Sequence, residues 1–351
     1  MPEPLPIDTP AMLEFLLDLL KVPSPTGFTD RAVAQVEKAF ARFGLPAART
    51  RKGALTFTWA GQSADAPRAL TAHVDTLGAM VKEIRPNGRL KLTKIGGFHW
   101  NTVEGEGCTV FAAGGQEWRG ALLSTKASSH IFGAETGDVK RDDEHMEVRL
   151  DARTVSADQT RALGLGVGDF VAFDPRVELG PAGFLRSRHL DDKAAVACLF
   201  GAVQALQAAG IAPAQRTTLH ISNYEEVGHG AASGFPPDLA ELVSLDMAAV
   251  GPGQGSDEFS ACLCVKDSGG PYHFGLTQRL RRLAEAAHIP YTVDIYPYYG
   301  SDGEAFWRAG GDVQVALLGP GVDASHNYER THLDSLVRTA QLIAEYVRQP
   351  A

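Results

Sequence analysis

Between about Met80 and Phe173 the chain has no helical periodicity, only short alternating runs broken by turn signals, whereas helix and strand periods alternate on both sides of it. The breaks are Pro86-Asn87-Gly88, Gly96-Gly97, Gly114-Gly115 and Gly164 to Gly168, all residues that punctuate β-structure. Alternating helices and strands build an α/β domain on a largely parallel sheet. A β-only stretch inside such a pattern reads as a second, smaller domain inserted into the first. The expected division is a discontinuous α/β domain over 1–74 and 175–351 with an all-β insert over 75–174, and 351 residues suit two domains.

Within the flanks, Thr9 and Pro10 open a helix with Met12, Phe15, Leu16, Leu19 and Leu20 on its apolar face, and a second helix runs from Asp30 to the stop signal at Gly44. Strands are expected at Leu55 to Trp59, Ala69 to Ala72, Thr217 to Asn223, Leu242 to Leu245, Tyr291 to Tyr296 and Val313 to Leu318. His189 to Lys193 opens a helix that ends near Gly210. The last helix spans about Asp334 to Arg348.

Open α/β sheets bind ligands at the carboxyl ends of their strands. His73, Glu225, Glu226 and Asp246 follow such ends directly, and His326 lies in the loop after one. Glu225 and Glu226 are neighbours, and side chains on extended backbone alternate in direction. One is therefore expected to ligate a metal while the other moves a proton. Asp191 and Asp192 open a helix, where acids complement the macrodipole as readily as they bind a cation. His73, Asp191, Glu226, Asp246 and His326 are too many ligands for one tetrahedral zinc, but suit two metals that share a carboxylate. Histidines and carboxylates without cysteine favour Zn²⁺, with Co²⁺ or Mn²⁺ as alternatives, over Ca²⁺ or Mg²⁺. Glu225, not needed as a ligand, is the natural general base and acid.

A net charge of −9 with no Lys/Arg run argues against nucleic acid or an anionic membrane as partner. No apolar stretch reaches the ~18 residues that span a bilayer, and Met1-Pro2-Glu3-Pro4 does not read as a secretion signal. A cytoplasmic protein is expected. Cys108, Cys198, Cys262 and Cys264 are too few and too badly spaced for a disulfide framework. Cys262 and Cys264 share one face of a strand and are expected as buried thiols.

The chain resembles the tetrahedral aminopeptidases, a family that includes glutamyl and deblocking aminopeptidases and is similar to other two-zinc exopeptidases. The matching pieces are Ala72-His73-Val74-Asp75, Met80 to Ile84 with Ile95-Gly96-Gly97, Gly168-Asp169-Phe170-Val171, Leu190-Asp191-Asp192-Lys193-Ala194, Glu225-Glu226-Val227-Gly228, Asp246-Met247 and Gly300-Ser301-Asp302. The resemblance implies two divalent metals per subunit. His73 and Asp246 are then terminal ligands, Asp191 the bridging carboxylate, and Glu226 and His326 complete the shell. Glu225 is implied as catalytic base, with Asp75 orienting His73. The resemblance further implies a zinc-exopeptidase-like fold, a PDZ-like insert used in oligomer contacts, and assembly from a dimer up to a hollow dodecamer.

Two positions depart from the family pattern. His326 is followed by Asn327-Tyr328-Glu329-Arg330-Thr331-His332 rather than Ser-Pro and an acidic run, so His332 competes with it as last ligand. Asp75-Thr76 stands where Asp-Glu is usual. Of the other histidines, the resemblance singles out only His130, which stands where the family carries a histidine in the insert and is implied to reach a neighbouring protomer's site. The expected activity is release of N-terminal residues from short peptides. Carboxypeptidase or N-acyl amino acid deacylase activity is the enzymatic alternative, and a silent scaffold the non-enzymatic one. Lys266 or Arg279 could favour acidic N-terminal residues.

Overall fold

A computed structural model describes residues 3–350; the reading of Met1 and Pro2 lies outside them. The flanking segments form a 13-stranded mixed sheet covered by helices. At its centre Gln215–Ser222, Ser63–His73, Glu241–Leu245 and Gln314–Asp323 run parallel in that spatial order. The flanks turn antiparallel, through Leu55–Trp59 on one side and Glu329–His332 on the other.

Period-two alternation places the two cores. On neighbouring strands Leu70, Val243, Ala316 and Leu318 join the cluster under helices Thr9–Leu20, Leu190–Ala208 and Leu333–Arg348. Ala69, Leu242, Val315 and Leu317 face the other way, against Phe306 and Trp307 of helix Asp302–Arg308. A fully buried Leu or Val contributes about 1.5–3 kcal/mol. All four cysteines are buried and unpaired, with Cys262 and Cys264 together in the second core.

The middle of the chain closes into an antiparallel barrel in the order Gly78–Ile84, Leu90–Ile95, Met146–Leu150, Glu117–Ser124, Gly107–Phe111 and Phe170–Phe173. It has its own core around Val81, Leu92, Val110, Leu122 and Val148. Arg188 ties the barrel to the sheet domain, donating to the Thr102 carbonyl at 2.6 Å and pairing with Glu106 at 3.1 Å.

Three local expectations are corrected. The first helix is capped by Asp8, not Thr9, because the Asp8 carboxylate reaches the Ala11 amide at 3.1 Å. Asp191 and Asp192 are not helical in φ and ψ, so regular helix begins after them. The strand expected to stop at Leu318 runs on to Asp323. Gly319-Pro320-Gly321 reads as a turn, but the glycines serve close approach: a Cβ on Gly319 would lie 1.7 Å from the Asp246 carbonyl oxygen.

His220, on the strand Gln215–Ser222, is buried, with Nδ1 2.9 Å from the Thr71 hydroxyl. Burial, helped by the Lys52 charge, pushes its imidazole down to about 3. In the unfolded chain it titrates near 6.5. Between those values the unfolded chain holds a proton that the folded chain lacks, so this contribution is complete above pH 6.5 and is lost as pH falls toward 3. His220→Gln is expected to flatten the acid arm of a stability–pH curve by up to about 1.4 kcal/mol per pH unit. Parallel curves for variant and wild type would contradict it.

Candidate active site

The parallel register sets Ser222 beside His73, so the segments leaving those strands emerge at one edge of the sheet. His73 is the last residue of its strand, and Asp246 follows the strand Glu241–Leu245. After Ser222 the chain does not stay extended: Glu225–Val227 form a short 3₁₀ turn closed by Gly228 at φ 84°. The turn replaces the extended backbone expected there and brings the two carboxylates to different histidines of one centre. Glu225 Oε2 lies 3.8 Å from His73 Nε2, and Glu226 Oε2 lies 3.5 Å from His326 Nε2.

Asp75 holds that turn. Its Oδ1 accepts from the Glu225 amide at 3.2 Å, and its Oδ2 from the Glu226 amide at 3.3 Å and the Thr26 hydroxyl at 2.6 Å. His73 Nδ1 is fixed mainly by the Asp75 main-chain carbonyl at 3.0 Å, with the carboxylate at 3.5 Å. Asp75 thus positions the histidine and both glutamates.

Asp191 sits between the two histidines, its Oδ1 3.2 Å from His73 Nε2 and its Oδ2 3.3 Å from His326 Nε2. Candidate metal-holding atoms fall into two groups, each within 4.8 Å: His73, Asp192 and Asp246, and Asp191, Glu226 and His326. His326 adopts a left-handed backbone at φ 63° and donates from Nδ1 to the Gly97 carbonyl of the barrel at 2.6 Å. The barrel therefore orients this ring and directs Nε2 toward the acids.

Several of these partners escape a reading of the sequence. Asp192 accepts from the His73 amide at 3.1 Å. Buried Glu329 takes the Leu190 and Asp191 amides on Oε2 and the His326 amide on Oε1, tying two distant segments together. In sequence, a glutamate amid Asn, Tyr and Arg reads as a solvated loop charge. His332 belongs to neither group: its Nε2 meets the Ala182 carbonyl at 2.9 Å and its Nδ1 accepts from the Asp334 amide at the start of the last helix. His130 is exposed on the short helix Ser129–Phe132 and also lies outside both groups.

The electrostatics favour cations. Burial, opposed by His73 and reinforced by Asp246, Asp302 and Glu226, pushes the Glu225 carboxyl well above its usual range. Burial raises Glu226 to about 8 and Asp246 well upward. Burial also works against ionised Asp191, but hydrogen bonds from His326 and His73 outweigh it and hold that carboxyl low. His326 is driven up to about 11: burial opposes its charge, while Asp191 and Glu226 favour it more strongly. Asp192 Oδ1 and Asp246 Oδ1 are buried without a hydrogen-bond partner. Crowded carboxylates with orphaned oxygens, histidine nitrogens and no sulfur fit borderline divalent cations.

A cavity of about 440 Å³ opens over this centre, lined by Glu225, Glu226, Asp191, Asp246 and His326 together with Met247 and Tyr299.

Residues 53–342 match the M42 glutamyl aminopeptidase family. A protein of Bacillus subtilis (strain 168) that carries the name of an aminopeptidase, YhfE, is 46% identical over 338 residues, covering 96% of this chain and 97% of its own. The fold is similar to the TET aminopeptidase of the marine sediment archaeon Thaumarchaeota archaeon SCGC AB-539-E09, with TM-score 0.87, 18% identity and coverage of 96% and 97% of the two chains. It is also similar to the Pyrococcus horikoshii TET1 peptidase, with TM-score 0.84, 20% identity and coverage of 97% and 100%. That protein assembles into a tetrahedron or a large octahedral shell.

Proposed function

Because this chain belongs to the M42 glutamyl aminopeptidase family and is thus a metal-dependent aminopeptidase, we propose that it releases N-terminal residues from short peptides at a two-metal centre. The observation that carries the reading is Asp191, whose two oxygens each face a different histidine, one from each ligand group. In this reading His73 and Asp246, with Asp192 beside them, would hold one cation, Glu226 and His326 would hold the other, and Asp191 would serve both. Bound cations, zinc first and cobalt or manganese otherwise, supply Lewis-acid polarisation of the scissile carbonyl and acidify the attacking water.

The chain's own residues do the rest. Glu225, with a raised proton affinity and membership in neither ligand group, takes a proton from the attacking water and returns it to the leaving amine. Asp75 keeps that carboxylate in place through the Glu225 amide. The Gly97 carbonyl and Glu329 fix His326.

We further propose that the barrel, as an insert over about residues 75–174, contributes oligomer contacts and that the protein works as a homo-oligomer, a reading supported by the assembly of the Pyrococcus horikoshii relative. Four buried free thiols suit the reducing cytoplasm. Among the described residues no helix is long and apolar enough to cross a membrane.

The test is a panel of aminoacyl chromogenic amides, free and N-acetylated, offered to metal-loaded protein. Free-amine substrates are expected to be cleaved and acetylated ones spared. Cleavage confined to acetylated amides would replace the reading with a deacylase.

A further inference from the structure

We propose that the cavity over the candidate metal centre selects substrates whose N-terminal residue carries a neutral, apolar side chain, and that Tyr298 covers that side chain. This rests on the aminopeptidase reading above. The charged groups lining the cavity are Asp191, Glu225, Glu226, Asp246 and His326, all committed to metal or proton; among the described residues no lysine or arginine lines it. A glutamate or aspartate side chain entering there would lose water beside carboxylates with no lysine or arginine to receive it, which is costly, whereas burying methylenes is favourable. A substrate lysine gains no free acid.

The two cations that could have recognised an acidic substrate are engaged elsewhere. Arg279 pairs with Glu241 and lies 5.5 Å from the Tyr346 ring. Lys266 Nζ donates to the Asp267 carbonyl at 2.7 Å. What the cavity does offer a side chain is aromatic surface, from Tyr298 and the half-buried Tyr299.

Tyr298 stands out because its neighbour is pinned and it is not. The Tyr299 carbonyl accepts from the Ser268 amide at 3.1 Å and the Ser268 hydroxyl at 2.5 Å, and the Tyr299 hydroxyl donates to the Met247 carbonyl at 2.7 Å. The Tyr299 ring packs 5.2 Å from that of Tyr296. Tyr298 beside it is 99% exposed and lines the cavity. An aromatic ring on an anchored loop, with both faces free at the mouth of a catalytic cavity, is placed to pack on an apolar substrate group.

The experiment measures kcat and KM for Leu, Met, Phe, Ala, Glu, Asp and Lys chromogenic amides on the metal-loaded full chain, with inhibition by free L-leucine and L-glutamate as a separate readout. The expected result is kcat/KM for Leu, Met and Phe at least about tenfold above Glu, Asp and Lys, with leucine inhibiting more tightly than glutamate. Tyr298→Ala is expected to raise KM for Leu and Phe roughly fivefold with little change in kcat and little effect on Ala, and Tyr298→Phe to restore it. Glutamyl, aspartyl or lysyl amides cleaved as well as leucyl would sink the inference alone, as would an unchanged KM in Tyr298→Ala. Cleavage of none of the free-amine amides would sink the aminopeptidase reading and this inference with it.

Discussion

Glu225→Gln is expected to keep its full metal content and lose about a hundred- to ten-thousandfold in kcat, the usual span for removing a general acid–base group. The prediction rests on position. Glu225 reaches to 3.8 Å from His73 Nε2 yet belongs to neither candidate ligand group, and its amide rather than its carboxylate holds the turn against Asp75. Glutamine preserves size and the anchoring amide but cannot carry the proton. Elemental analysis beside steady-state kinetics separates the outcomes. Near-normal turnover by a metal-loaded variant would remove Glu225 from the proton path, and a large loss of metal would make it a ligand.

Asp191→Asn is the complementary case and is expected to fail at the metal. Each Asp191 oxygen faces one histidine, and histidine hydrogen bonds keep this carboxyl ionised where its neighbours are pushed upward. An amide offers one oxygen in place of two and no charge. Metal affinity should fall by more than the about ten- to hundredfold typical of a residue that merely supports a ligand, and activity with it. The variant should still fold without metal, because the backbone amides at Leu190 and at the substituted position remain tied to Glu329. Full metal content by elemental analysis in this variant would remove the bridging role.

The α/β frame with a β-only insert was legible because helical and strand periods persist in the flanks and fail together between about Met80 and Phe173. Strand-end positions then marked His73, Glu225, Glu226 and Asp246, and the parallel register brings them to one edge. Less visible was what depends on backbone turning. The 3₁₀ turn that carries Glu225 to His73 and Glu226 to His326 leaves no periodic signal in two residues. Likewise, Glu329 and the Gly97 carbonyl matter largely through contacts to segments more than a hundred residues distant. The strand extension through Gly319 and Gly321 was hidden by residues that ordinarily end strands; here they admit the Asp246 and Asp257 backbones.

Whether the centre holds a pair of metals is decided by stoichiometry. Metal-stripped wild-type protein, titrated with Zn²⁺ and followed by calorimetry and elemental analysis, is predicted to take up two ions per chain, one for each ligand group, with activity requiring the loaded form. Saturation at a single ion per chain in fully active enzyme would contradict the paired centre.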